Sequence, residues 1–305
     1  MMESNSEIKF LKNCELDKKK WDWCIENANN SLIYGFSFYL DSMAKNWDAL
    51  VLNDYEAVMP LTWNKKFGIS YLYQPAFTQQ LGIFSTNKLA QTIQNNFLQI
   101  SQQHFRFGEI CINYENDIYK NGNRNNFILN LNKSYEEIFN NYSSDLLKNL
   151  RRTEKHKLQY SKSNDFEKAI ELFKQNYSTR ILNLKNESYN RFKLLCKNLF
   201  DKKMLLVRKV TNQNNELLSI SIFLKDQKRI YLILSATTSE GRANDAQHFL
   251  IDNLIQEFAN SPFSLDFEGS SISSIAYFNQ RFGAINQPYF FVKWNNLAWP
   301  LKFLK

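Results

Sequence analysis

Residues 203–269 constrain the fold of this chain more than any other stretch. Three strand-like runs, KMLLVRKVT, ELLSISIFLK and RIYLILSAT, follow one another with short breaks at Asn214-Asn215 and Asp226-Gln227. Breaks of that length predict antiparallel hairpins. The chain then crosses a polar loop, TSEGRANDAQ, and enters a long amphipathic helix through Ala259. Phe249, Leu250, Asn253, Leu254 and Phe258 mark its buried side. It emerges in another strand, SLDFEG. A strand leading through a helix to a neighbouring strand is a βαβ crossover, which makes the two strands parallel. The sheet must therefore be mixed: antiparallel hairpins with one parallel partner.

The flanking segments fit such a sheet. FILNLN at 127–132 reads as a strand. Ser134 stands three residues before Glu137, a capping-box pattern that opens a helix over YEEIFNNY. Further helices are predicted at 143–157, 165–180 and 188–201, and a short one over SISSIAYFNQRF. QPYFFVKWN is read as the last strand. The first part opens with a predicted helix from Cys14 to Asn29. WDALVLND and YEAVMPLTWNKK then form a hairpin across Asn53-Asp54. FGISYLYQPAFTQQLGIFS is strand-like, broken at Gly82. Residues 87–103 are a helix and FRFGEICIN is a strand. The turn-rich NGNRNN at 121–126 marks a boundary, giving domains 1–125 and 126–305. Charge changes sign there: the first part carries a net −1 and the second +9, which closes on the +8 of the whole chain. A basic second domain suits an acidic or phosphate-bearing partner.

Several classes are excluded. The chain is 44% apolar with 15% aromatics, too hydrophobic for intrinsic disorder. Cys14, Cys24, Cys111 and Cys196 are scattered, as are His104, His156 and His248, so no metal site is expected. No apolar run approaches the roughly 20 residues of a membrane span. With no basic-then-apolar leader in MMESNSEIKFLKN, a cytoplasmic location is expected.

The segments SYEEIFNNYSSDLLKNLRRTEK, SATTSEGRANDAQHFLIDNLI and LDFEGSSISSIAYFNQRFGA carry a resemblance. They are similar to the GNAT superfamily of N-acyltransferases, and within it to the FemAB-like branch. The last segment resembles that branch's D-F-E-G-S element followed by R/Q-F-[KR]-x-x-F-G-A. The resemblance implies an α+β fold of two tandem GNAT-like domains, each a mostly antiparallel central sheet flanked by helices. It implies transfer of an acyl or aminoacyl group to an amine acceptor by direct attack. Acyl-CoA is the first donor expected as co-substrate, without a metal, and aminoacyl-tRNA the second. In the family the strand Ile230 to Ser235 would pair with the pantetheine arm, engaging Leu234 and Ser235. Gly241, Arg242, Ala243, Asn244 and Ala246 would face a pyrophosphate at the helix start, where backbone N–H groups favour anions. The usual Q/R-x-x-G-x-G/A pattern is reduced here to one glycine, and Asp245 puts a negative charge nearby.

Acyl transfer to an amine needs a base. Asp266 and Glu268 alternate on one strand and are expected on one face, where two carboxylates side by side push one pKa upward. Glu268 is the candidate base, with capping or pairing with Arg281 as its structural alternative. Tyr277 is the candidate acid, with a core position as its alternative, and His248 sits near the start of the long helix. Lys148, Arg151, Arg152 and Lys155 form a basic helical face suited to tRNA or CoA phosphates. A tRNA-dependent relative often carries a coiled-coil insertion, and no heptad run occurs here. The rivals are a non-enzymatic GNAT fold that binds a ligand or partner, and an RNA-binding module.

Overall fold

The computed structural model describes residues 7–118, 121–177, 184–269, 272–300 and 302. Its chain forms two compact units: Met1–Arg124 together with Pro288–Lys305, and Asn125–Gln287.

The first unit begins with β1 (Ile8–Leu11), α1 (Lys18–Asn27), α2 (Ser37–Met43) and the hairpin of β2 (Asn46–Leu52) and β3 (Ala57–Lys66). Next come β4 (Ile69–Tyr73), β5 (Phe84–Ser85), α3 (Gln91–His104), β6 (Phe107–Ile112) and β7 (Gly122–Arg124). Asn53 and Tyr55 take positive φ in the hairpin turn, which is where Asn is tolerated best. The long strand-like run after Phe67 is regular only at its ends. Its middle serves instead as the connection that leads toward α3.

The second unit contains β8 (Phe127–Asn130), α4 (Tyr135–Phe139), α5 (Ser144–Thr153), β9 (Gln159–Ser163), α6 (Phe166–Tyr177) and α7 (Asn186–Asp201). It continues with β10 (Leu205–Thr211), β11 (Leu217–Lys225), β12 (Arg229–Thr237), α8 (Ser239–Ala243), α9 (Ala246–Phe258), β13 (Ser264–Asp266), α10 (Ser273–Gln280) and β14 (Ile285–Asn286). The capping box is present: the Glu137 N–H donates to Ser134 Oγ at 3.2 Å, and the Ser134 N–H donates to Glu137 Oε2 at 2.9 Å. This sheet runs β14-β8-β13-β12-β11-β10-β9, antiparallel throughout except for β12 against β13. Its apolar face packs on α9 through Leu250, Ile251, Leu254 and Ile255, all buried with Phe223, Ile230 and Leu265.

The last strand, β15 (Tyr289–Asn295), corrects the expected boundary. It belongs to the first unit's sheet, whose order is β1-β2-β3-β4-β6-β15-β7, with β5 beside β3. Sequence order had placed it with residues 126–305. The reason is local packing on β6. Trp294 lies over Gly108, where an added Cβ would come within 2.2 Å of its ring. The indole N–H of Trp294 donates to the Phe105 carbonyl at 2.7 Å. The NGNRNN segment is likewise partly a strand, β7, because it lies along β15.

Both sheets are mostly antiparallel and flanked by helices, so the chain is an α+β protein. No helix among the described residues is long and apolar enough to cross a membrane.

Candidate functional site

The second sheet opens at its parallel pair. β12 and β13 are in register only over Arg229–Tyr231 and Ser264–Asp266. β13 then ends, and β12 runs on to Thr237 with β11 as its only strand neighbour among the described residues. In that stretch Ile222 faces Leu234 and Phe223 faces Leu232, so Ile233 is an extra residue and β12 is bulged. Bulges bend a strand and collect near active sites.

Asp266 fixes the end of β13. It is fully buried, and its Oδ2 accepts from Arg229 Nη1 at 3.0 Å and Asn126 Nδ2 at 3.3 Å. Its Oδ1 accepts the Glu268 N–H at 2.9 Å. That bond folds the chain back, and Glu268 takes a left-handed φ of 62°. Strand alternation stops there, which corrects the expectation that Asp266 and Glu268 share one strand face. Asp266 is occupied as an anchor: burial pushes its carboxyl up and Arg229 pulls it down.

Glu268 is different. The residue is partly exposed, yet its Oε1 is shut off from solvent and has no hydrogen-bond partner. No cation pairs with it among the described residues, Arg281 included. Burial alone pushes its carboxyl up to about 8. An unpaired carboxyl that titrates near neutrality has the properties of a general base.

Tyr277 is half exposed on α10, not in the core. Its hydroxyl donates to Asp145 Oδ2 at 2.8 Å, and that carboxylate raises its pKa. A phenol held this way gives up its proton less readily. Arg281 lies over the Tyr277 and Phe278 rings, 5.1 and 5.7 Å from their centroids. Its Nη2 approaches Nε2 of His248, which is also 3.3 Å from Asn149 Nδ2. Burial, Arg281 and Arg152 together push His248 down to about 3. It is therefore neutral and a very weak base, acting as an acceptor between α5, α9 and α10.

The segment read as a phosphate loop is not an open loop. Ser239–Ala243 forms the short helix α8, capped by Thr238, whose Oγ1 accepts the Gly241 N–H at 3.0 Å. Gly241 is buried, and a Cβ there would lie 2.1 Å from the Leu218 carbonyl oxygen. Close packing on β11 thus accounts for the glycine. Arg242 folds back on the Thr237 carbonyl at 2.6 Å and Ser239 Oγ at 3.1 Å. Asp245 takes a left-handed φ before α9, and its Oδ2 pairs with Arg152 at 2.8 Å. Ala243 is exposed and Asn244 partly so, while Ala246 and Leu234 are buried. Ser235 accepts from Ser221 Oγ at 3.1 Å.

The expected basic face is divided among several partners. Arg152 serves Asp245, Lys148 lies 3.6 Å from Asp145, and Arg151 lines a cavity beside Asp252. Lys155 is exposed in the turn after α5. Sequence reading missed Arg229 and Asn126, which hold Asp266. The available signal was the position of Arg229 as the first residue of the strand parallel to SLD. Among the described residues no three His, Cys, Asp or Glu side chains converge as metal ligands.

No protein-family model and no curated protein matches the sequence. Solved structures do match the fold. FemX superposes with a TM-score of 0.67 at 12% identity, covering 98% of this chain and 99% of that one. L-PGS from Bacillus licheniformis matches with a TM-score of 0.55 at 11% identity, covering 94% and 95%. N-myristoyltransferase from Saccharomyces cerevisiae, with bound myristoyl-CoA, matches with a TM-score of 0.51 at 12% identity, covering 96% and 84%. The chain has a GNAT/FemAB-like fold.

Proposed function

We propose that the protein is an N-acyltransferase working at the opening between β12 and β13. The supporting observation is Glu268: an unpartnered, desolvated carboxyl at about 8 where the parallel pair parts. As carboxylate it takes a proton from the acceptor's ammonium. The freed amine attacks the donor carbonyl, the C–N bond forms, and the bond to the thiol or hydroxyl leaving group breaks. The leaving group takes the second amine proton, since Tyr277 is committed to Asp145. No covalent enzyme intermediate is required. An acyl thioester of the CoA type, lying along β12 from Leu232 to Ser235, is the first donor class.

An aminoacyl ester of tRNA is the second. It is favoured by the start of α9, where Asp245 is paired with Arg152 and Gly241 packs on β11, an arrangement poorly suited to pyrophosphate. The location would be cytoplasmic in either case.

The test is a transfer assay with acyl-CoA thioesters and charged tRNA against a panel of amines. Wild-type protein is expected to form amide product from one donor class. Glu268→Gln should abolish product while still binding that donor. If neither donor class gives product nor raises the Tm, the reading fails in favour of a non-enzymatic binding protein.

A further inference from the structure

The β3–β4 hairpin of the first unit reaches past the strands beside it. β2 pairs with β3 only as far as Trp63, and β6 meets β4 only from Leu72 onward. Residues 64–71 are therefore a two-stranded ribbon, with Asn64 opposite Tyr71, Lys65 opposite Ser70 and Lys66 opposite Ile69, and no third strand among the described residues. The Tyr71 ring rests on Phe107 at the base, 6.2 Å between centroids. At the far end Lys65, Lys66, Phe67 and Gly68 are all exposed, Phe67 by 75%. Phe67 and Gly68 have φ of 51° and 80°, the two left-handed positions of a type I′ turn. Asn or Asp suits the first of these, and a bulky side chain resists it. Neither the turn nor packing in a core accounts for a phenylalanine at this position.

The ribbon is also cationic. No Asp or Glu occurs between Glu56 and Glu109, whereas Lys65, Lys66, Lys88 and Arg106 do. Lys66 Nζ lies 5.3 Å from the Phe67 centroid. Neither Lys65 nor Lys66 has an ion pair among the described residues. The carboxylates that share cavities with Trp63 and Tyr71, at the base of the ribbon, are engaged elsewhere. Asp41 pairs with Lys18 at 2.7 Å, Glu109 with Lys293 at 3.4 Å, and Asp48 accepts the Asn13 N–H at 3.1 Å. An apolar ring flanked by unpaired lysines fits the boundary of an anionic bilayer, where the ring enters the acyl region and the ammonium groups stay among the headgroups. A single-stranded nucleic acid would call for several stacking rings along a basic groove, and here one ring projects alone.

We propose that residues 65–68 dock the protein on an anionic lipid bilayer, with the Phe67 ring inserted and Lys65 and Lys66 on the headgroups. The surface is independent of the transfer reaction and can be tested on protein with no known substrate. Co-sedimentation is measured with vesicles of phosphatidylcholine alone and with about 30% phosphatidylglycerol added. The mixed vesicles should be bound at about 0.1 M salt and released at about 1 M, and the neutral ones bound far less. The chain carries +8 overall, so the deciding variant is Phe67→Asn, which leaves the charge unchanged and suits the turn. It should keep or raise the Tm and bind at least about tenfold more weakly. Lys65→Gln with Lys66→Gln should weaken binding about 25-fold, since each lysine near the surface contributes about fivefold. Equal binding of both vesicle types overturns the proposal, and so does undiminished binding by Phe67→Asn. Failure to bind either vesicle overturns it as well; if poly(U) is then bound and Phe67→Asn weakens that binding, the tip belongs to single-stranded nucleic acid.

Discussion

Among the described residues each unit carries one parallel strand pair in an otherwise antiparallel sheet, and the two pairs are finished differently. In the first unit β4 meets β6 only at Leu72 with Gly108 and Tyr73 with Glu109. Beyond that point the connection fills the gap. Gln74 Oε1 accepts the Cys111 N–H at 2.9 Å while its Nε2 donates to the Thr78 carbonyl. Leu81 then bonds both ways to the backbone beside Ile112. In the second unit the pair parts in the same way, but no strand fills the gap among the described residues, and an unpartnered carboxyl stands at its edge. The same topology is thus bridged by Gln74 and Leu81 in one unit, beside a cavity of about 420 Å³ that Leu72, Tyr73, Gln74 and Cys111 help to line, and left without a bridging strand among the described residues in the other.

The sharpest way to break this comparison is at Glu268. Glu268→Gln should lower transfer about 10²–10⁴-fold, the usual contribution of a positioned base. In wild-type protein kcat/KM should rise with pH and level off above about 8, and the variant should lose that limb. Stability carries the opposite sign. The folded carboxyl holds its proton up to about 8 and the unfolded one only to about 4.5, so stability falls as pH rises between those values. Urea unfolding across this range should show the slope in wild type and a flatter curve in Glu268→Gln.

Next in size is the anchor beneath the opening. Arg229→Met strands the buried Asp266 carboxylate and should destabilise by about 3–5 kcal/mol, read as a fall in the urea midpoint. The two close-packing glycines follow. Gly241→Ala meets a backbone carbonyl and Gly108→Ala meets the Trp294 ring, so each should lose about 1–3 kcal/mol. The smallest effect belongs to the bridged pair in the first unit. Gln74→Ala removes two hydrogen bonds and should lose about 1–2 kcal/mol while leaving transfer unchanged. If it altered transfer as strongly as Glu268→Gln, the contrast between the two openings would collapse.

What could be read from the sequence was whatever local rules decide. The Ser134–Glu137 box, the hairpins of β10, β11 and β12, and the crossover into β13 depend on residues close in the chain, and the structure has them. β9 escaped because Gln159–Ser163 is a short edge strand with little apolar content, held by its register with β10. α8 escaped because a polar, single-glycine segment reads as a loop until its contact with Leu218 is known. Glu268 was singled out on a different physical ground from the one the structure shows for its raised pKa. Two alternating carboxylates suggested mutual repulsion, whereas its raised pKa comes from burial after a left-handed turn. No sequence pattern signals that Asp266 spends its own oxygens making that turn.

The return of β15 to the first sheet has a consequence for how the chain assembles. The Gln287 N–H donates to the Asn126 carbonyl at 2.7 Å, so the folded second unit holds its two ends together. Joining β15 to β6 would otherwise mean closing a loop of well over a hundred residues, an entropic loss that grows with the logarithm of length. Once Asn125–Gln287 has folded, that closure is already made, and the final strand needs only to find its neighbour. During synthesis one edge of β6 stays unpaired until Tyr289–Asn295 has been made. Asn125–Gln287 therefore acts as a folding clamp for the segments on either side of it.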